Sequence, residues 1–212
     1  MKQSLSIENK WIGLLLLFYF FGLLGMCLPQ FRAYFLPLTP LNLLLTLVIF
    51  YKVNNNFTGK FLLLSVLVFL IGFSVEAIGV NTGLLFGNYE YGDPFGFKLF
   101  ETPVMIGVNW LFLALSTFGI VQHFTNKAIW LIAIPPLLMV GLDVLVEPIA
   151  IKLDFWSWQN NVIPAQNYIM WYITSLAIHA LIYFFGTRVN TKVSFWIFGV
   201  QFVFFGVLNL VL

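Results

Sequence analysis

The feature that most constrains this chain is a series of apolar runs, each about long enough to cross a bilayer. A spanning helix needs about 20 mainly apolar residues. Seven segments answer to that description: roughly 11–28, 38–53, 60–80, 102–122, 127–148, 166–186 and 193–212. The second is the shortest and is flanked by Pro37 and Pro40. Only 8% of the 212 residues are charged, against about 25% in a soluble domain, so the chain cannot clothe its surface for water. The sequence therefore predicts an all-α polytopic membrane protein, a bundle of about seven transmembrane helices forming one integral membrane domain over residues 1–212. Lys2 and Lys10 precede the first run, but no small-x-small cleavage site closes it. We read it as the first span and not as a signal peptide.

Basic residues set the expected orientation. With the N-terminus inside, the inner face holds Lys2, Lys10, Lys52, Lys60, Lys127, Arg188 and Lys192, and the outer face holds Arg32, Lys98 and Lys152. The carboxylates are distributed the other way. Glu8 alone is inner, whereas Glu76, Glu90, Asp93, Glu101, Asp143, Glu147 and Asp154 fall in the outer half or its loops. The two longest connections, 81–101 and 149–165, lie on that same side; both hold turn-forming residues, and the second carries Trp156 and Trp158. Any chemistry is expected there.

Several of these acids lie inside spans. Glu76 stands 16 residues after Lys60, roughly 24 Å along a helix and still within the hydrocarbon layer. Asp143 reaches a similar depth after Lys127, and Glu147 stacks one turn beyond it on the same face. Glu101 and Asn109 are expected two turns apart on the following span, converging on the same outer pocket. A carboxylate in hydrocarbon is costly and usually faces a functional cavity. No Lys or Arg lies in the interior of a span to neutralise these acids, so they should hold protons near neutral pH to a degree that suits a general acid. Glu90, Asp93 and Asp154 read as solvated loop residues.

Other residues narrow the choice of chemistry. Net charge of +2 with scattered basic residues gives no sign of nucleic-acid binding. Cys27 is the one cysteine, so a multi-cysteine metal centre is excluded. His179 falls mid-span and His123 near the opposite face, and two such histidines do not build a metal site. Residues 193–212 contain no Lys for a retinal Schiff base, and no internal repeat supports a proton-coupled carrier. Asn167, Tyr168 and Trp171 open the sixth long segment beside the expected pocket, where interfacial anchoring is the ordinary role of Tyr and Trp.

The stretch E-A-I-G-V-N-T-G-L-L-F-G-N-Y-E-Y, Glu76 to Tyr91, resembles the signature of the CruF-type carotenoid biosynthesis family. That family includes bacterial carotenoid 1,2-hydratases and archaeal bisanhydrobacterioruberin hydratases. Further matching stretches are P-V-M-I-G-V-N-W (Pro103–Trp110), D-V-L-V-E-P-I-A (Asp143–Ala150), F-W-S-W (Phe155–Trp158) and I-P-A-Q-N-Y-I-M-W (Ile163–Trp171). They follow in the same order over about residues 60–185. The resemblance implies an enzyme of a bacterial or archaeal cytoplasmic membrane that adds water to the terminal alkene of an acyclic ψ end group. The implied substrate is a lipid-soluble carotenoid such as lycopene or γ-carotene, with association with other carotenoid enzymes a further expectation.

Such a reaction needs an acid in a low-dielectric pocket, a group that orients water and aromatic surfaces that shelter a tertiary carbocation, but no metal or redox cofactor. On this reading Asp143 donates the proton, Glu76 is its partner or the water-positioning base, and Glu147 tunes both. Asn109, Asn167 and Tyr89 are candidates to bind water or the nascent hydroxyl. Tyr91, Glu101, Trp110, Tyr168 and Trp171 complete the expected substrate-binding wall, with Tyr89 and Tyr91 on a loop folded back over the pocket. End-group cyclisation begins with the same protonation and is the competing reaction.

Overall fold

Backbone N–H and C=O groups in hydrocarbon must find partners within the chain, so long apolar runs become helices. A computed structural model describes residues 2–55 and 57–212, with the backbone alone for residues 2–6; the side chain of Lys2, counted above for orientation, lies outside the described residues. Eight α-helices follow one another: α1 (Lys2–Cys27), the short α2 (Pro29–Phe35), α3 (Thr39–Asn54), α4 (Gly59–Thr82), α5 (Val104–Phe124), α6 (Ala128–Lys152), α7 (Ala165–Phe184) and α8 (Thr191–Val211). Each of the seven expected segments has its helix.

Among the described residues, six stretches are long and apolar enough to cross a membrane, with α2 and α3 forming one of them. Helix α7, at 20 residues, lies outside that set. Its Asn167, Thr174, Ser175 and His179 are buried against neighbouring helices, so its polarity serves the interior. His179 joins α7 to α5 through Thr117 Oγ1 (3.0 Å) and the Ala114 carbonyl (3.2 Å), a structural role. Helix α5 is the axis of the bundle. It is buried along most of its length and packs against α3, α4, α6, α7 and α8.

The long connections form short antiparallel ribbons at one end of the bundle. Gly83, in the left-handed region at φ 67°, ends α4 and turns the chain toward β1 (Tyr89–Tyr91), which pairs with β4 (Trp156–Trp158). Between them β2 (Lys98–Leu99) and β3 (Thr102–Pro103) form a hairpin. Its turn residues, Phe100 and Glu101, both have positive φ, 51° and 58°, as a two-residue hairpin turn of the favoured twist requires. We call this the ribbon end. The opposite end is tied by polar contacts such as Asn190 to Asn54 and Lys192 to Asn9.

Candidate active site

Strand geometry builds the site from above. Successive strand side chains alternate between faces, so in Y-E-Y and W-S-W the aromatic residues share one face and the middle residues the other. The register Tyr89↔Trp158, Glu90↔Ser157, Tyr91↔Trp156 superposes these faces. Outward, Ser157 Oγ donates to Glu90 at 3.3 Å in an exposed contact. Inward, four aromatic residues press on the bundle, Tyr89 against Trp158 at 4.9 Å between ring centroids and Tyr91 against Trp156 at 6.1 Å.

Their polar tips meet buried carboxylates. Glu76 Oε2 accepts from the hydroxyls of Tyr89 (2.6 Å) and Tyr91 (2.8 Å), and its Oε1 accepts from Trp110 Nε1 (3.0 Å). Glu147 Oε2 accepts from the indoles of Trp156 (2.9 Å) and Trp158 (2.8 Å), and its Oε1 accepts from Asn167 Nδ2 (3.0 Å). Asn167 Nδ2 also donates to Asp143 Oδ2 (3.0 Å), so one amide bridges two carboxyls that stack one turn apart on α6. All three acids are at most 3% exposed.

Every group bound to Glu76 and Glu147 donates, a set that suits an acceptor-only carboxylate. Asp143 differs: its Oδ1 has no hydrogen-bond partner among the described residues. The ribbon phenols are held in the donor form. Burial, and then the neighbouring Glu76, raise the pKa of Tyr89 and of Tyr91 above the usual phenol value.

Two glycines let these groups close in. Gly72 and Gly79 flank Glu76 on one face of α4. A Cβ on Gly72 would collide with the Trp110 side chain, and one on Gly79 would lie 2.5 Å from the Phe86 ring and 3.2 Å from the Tyr89 hydroxyl. The bare backbone is what allows Trp110 and the ribbon to reach the acid.

A cavity of about 300 Å³ lies beneath the ribbon. At its ribbon end it is lined by Glu76, Tyr89, Tyr91, Asn109, Asp143, Glu147, Trp156, Trp158, Asn167 and Trp171. It continues between α1, α3 and α8 along mainly apolar walls, broken by Tyr19, Asn42 and Gln201, and reaches the outside of the bundle beside Leu17, Phe21 and Leu41, each about half exposed. This is a lateral slot in a surface that a membrane would cover. Among the described residues no group of three or more His, Cys, Asp or Glu side chains is arranged to hold a metal ion.

The structure thus brings together Glu76, Asp143, Glu147, Tyr89, Tyr91, Asn109, Asn167 and Trp171. Glu76 and Asp143 face the same cavity without a hydrogen bond between them. Three residues expected in the wall are placed otherwise. Glu101 is exposed in the β2–β3 turn, because Pro103 and the hairpin delay the helix until Val104. Trp110 is fully buried and lies behind Glu76, stacked on Trp171 at 4.3 Å, outside the cavity lining. Tyr168 is half-buried and also off the cavity, since the helical rotation that points Asn167 inward carries its neighbour aside. Conversely, Trp156 and Trp158 bind a carboxylate that sequence reasoning had not connected to them; the W-x-W alternation is the signal that carries it.

No solved structure matches the chain. The bisanhydrobacterioruberin hydratase of Haloarcula japonica is 26% identical over 130 residues, covering 55% of this chain and 42% of that protein. The match therefore spans less than half the length of that relative. The family described as carotenoid biosynthesis protein matches residues 38–212, which includes the ribbon, all three buried carboxylates and every helix from α4 onward, and the chain belongs to that family.

Proposed function

We propose that the chain is a carotenoid hydratase that adds water across the terminal 1,2 double bond of an acyclic ψ end group. The observation that carries this reading is the unequal treatment of three buried carboxyls around one cavity. Asp143 alone keeps an oxygen free of partners, and that oxygen belongs to a side chain lining the cavity. In the proposed step, Asp143 gives its proton to the less substituted alkene carbon. The π pair forms the new C–H bond and leaves a tertiary cation.

A water molecule held by the Asn109 and Asn167 amides attacks that cation, and one of its protons passes to a carboxylate, with Glu76 as the acceptor. The product is a tertiary alcohol, and return of the proton to Asp143 closes the cycle. Trp171, Tyr89 and Tyr91 present ring surfaces to the cationic carbon. The relative's name gives independent support for hydration. The lateral slot suits a substrate such as lycopene or γ-carotene, which is dissolved in lipid and never crosses water.

Asp143→Asn tests the assignment. The variant keeps side-chain volume and an oxygen for Asn167, so the fold should persist, but it has no acidic proton. General acid catalysis contributes about 10²–10⁴-fold, and conversion of lycopene to a product heavier by one water should fall by that factor. Hydration within about threefold of wild type, far short of the smallest loss expected for a general acid, would remove Asp143 from the role. A product of unchanged mass but cyclised end group from the native protein would replace hydration by cyclisation.

A further inference from the structure

The cavity has a second polar region, distant from the carboxylates. Gln201 of α8 is 4% exposed and lines the cavity. Its Nε2 donates to the Ile197 carbonyl at 3.3 Å, which fixes the orientation of the amide. Its Oε1 and its second N–H have no partner among the described residues. Beside it, the Tyr19 ring packs edge-on against Phe204 at 5.7 Å, one turn along α8 from Gln201. The Tyr19 hydroxyl meets Thr46 Oγ1 at 3.3 Å, and Thr46 gives its own proton to the Asn42 carbonyl at 2.8 Å. Tyr19 is therefore the donor to Thr46, and its hydroxyl, with the Asn42 side chain also beside it, lines the same cavity as Gln201.

Helix register gives the separation. Asn209 of α8 donates to the Leu145 carbonyl of α6 at 2.7 Å, which levels the two helices. Asp143 lies two residues before Leu145 and Gln201 eight before Asn209, so Gln201 sits roughly 9 Å further from the ribbon. A buried amide with a free carbonyl is costly unless something hydrogen-bonds to it.

We propose that Gln201, supported by Tyr19, is a hydroxyl-binding subsite for an isoprenoid chain whose alkene end rests at Asp143. The subsite accepts the hydroxyl proton on Gln201 Oε1 and offers the second amide N–H to the hydroxyl oxygen. It would select ligands oxygenated at that distance over plain hydrocarbons. The inference rests on the reading that the cavity takes an isoprenoid chain, but it does not depend on turnover.

The test is a binding titration in lipid nanodiscs, read by intrinsic tryptophan fluorescence and referenced to empty nanodiscs. The probes are geraniol, farnesol and geranylgeraniol, whose hydroxyl lies progressively further from the dimethyl-substituted alkene, and the matching hydrocarbons without the hydroxyl. Geraniol, with the closest match to the separation, should bind about fivefold more tightly than its hydrocarbon, the worth of one neutral hydrogen bond. That preference should shrink along the series. Gln201→Met, similar in shape, should bind hydrocarbon unchanged and lose the preference for the alcohol. Equal binding of alcohol and hydrocarbon by the native protein, or a preference that survives Gln201→Met, would overturn the subsite. Absence of binding by any probe would refute the isoprenoid cavity as well. Failure of the hydration test alone would leave the expected pattern intact.

Discussion

The ribbon makes its sharpest prediction at Glu147, because two indoles serve one oxygen. Trp158→Phe removes the 2.8 Å donor but leaves an aromatic ring against Tyr89, and Trp156→Phe removes the 2.9 Å donor while keeping a ring beside Phe95 and Tyr91. A hydrogen bond to a charged group is worth about 1.5–3 kcal/mol. At 1.36 kcal/mol per decade, losing one donor should slow hydration by roughly tenfold or more, with the remaining indole still occupying Oε2. Replacing both leaves that buried oxygen without a donor. The double variant should therefore lose more than the product of the singles, by a coupling of about 0.5–3 kcal/mol. Ser157→Ala is the internal control: it lies between the two tryptophans on the outward face and removes only an exposed contact. The assay is pigment conversion in membranes, with thermal unfolding followed alongside to separate chemistry from stability. If Ser157→Ala and the tryptophan variants behave alike, or if the double variant equals either single, the ribbon does not position Glu147 as argued.

Three further outcomes follow from the same geometry. Glu101→Gln should change conversion by no more than about twofold, as surface substitutions usually do, because Glu101 sits exposed in the hairpin turn; a large loss in the conversion assay would return it to the site. At Gly22, on the cavity wall, a Cβ would make only an ordinary 3.7 Å contact with Phe204. Gly22→Ala should be tolerated, and Gly22→Trp should block uptake of a full-length carotenoid, read as lost pigment conversion by a variant that still folds; full conversion by that variant would remove the slot as the route of entry. The raised phenol pKa values of Tyr89 and Tyr91 carry a pH signature. Their contribution to stability is fully present below the unfolded phenol value of about 10 and is lost as pH rises from there toward the folded value. Thermal stability should therefore decline above about pH 10, and the decline should be shallower in Tyr89→Phe and Tyr91→Phe; an unaltered slope in both variants would refute the linkage.

The helices were legible because a bilayer leaves a long apolar run little other choice, and Glu76, Asp143 and Glu147 stood out because acids in such runs are expensive. What the sequence could not expose is pairing. Tyr89 and Trp158 are 69 residues apart, and nothing local in Y-E-Y or W-S-W says that the two strands meet. Trp also has a default interfacial role, which masked the indoles as carboxylate donors. Glu101 was misplaced for a different reason: its turn has Phe and Glu where hairpins usually show Asn or Gly, so the chain reads locally as the run-up to a helix. Gln201 left only the faint trace of an amide in an apolar run, and its meaning depends on a cavity that seven long helices line together.

Hydration and cyclisation share their first step, so the walls around the cation must decide between them. A cyclase has to fold the chain back on itself and keep water away until an internal alkene attacks. Here the cavity is long, open at the lipid side, and polar at the end where the cation would form. Asn109 has no side-chain hydrogen bond among the described residues, and Asn167 spends its Nδ2 on two carboxyls while its carbonyl oxygen stays free. A water molecule placed between these amides has acceptors for its protons and keeps a lone pair for carbon. Replacing Asn109 by Leu should therefore leave protonation intact while starving the cation of water. In D2O, recovered lycopene should then gain deuterium from reversible protonation as alcohol formation falls. A parallel fall in both would show that Asn109 supports the fold or the acid and does not hold the water.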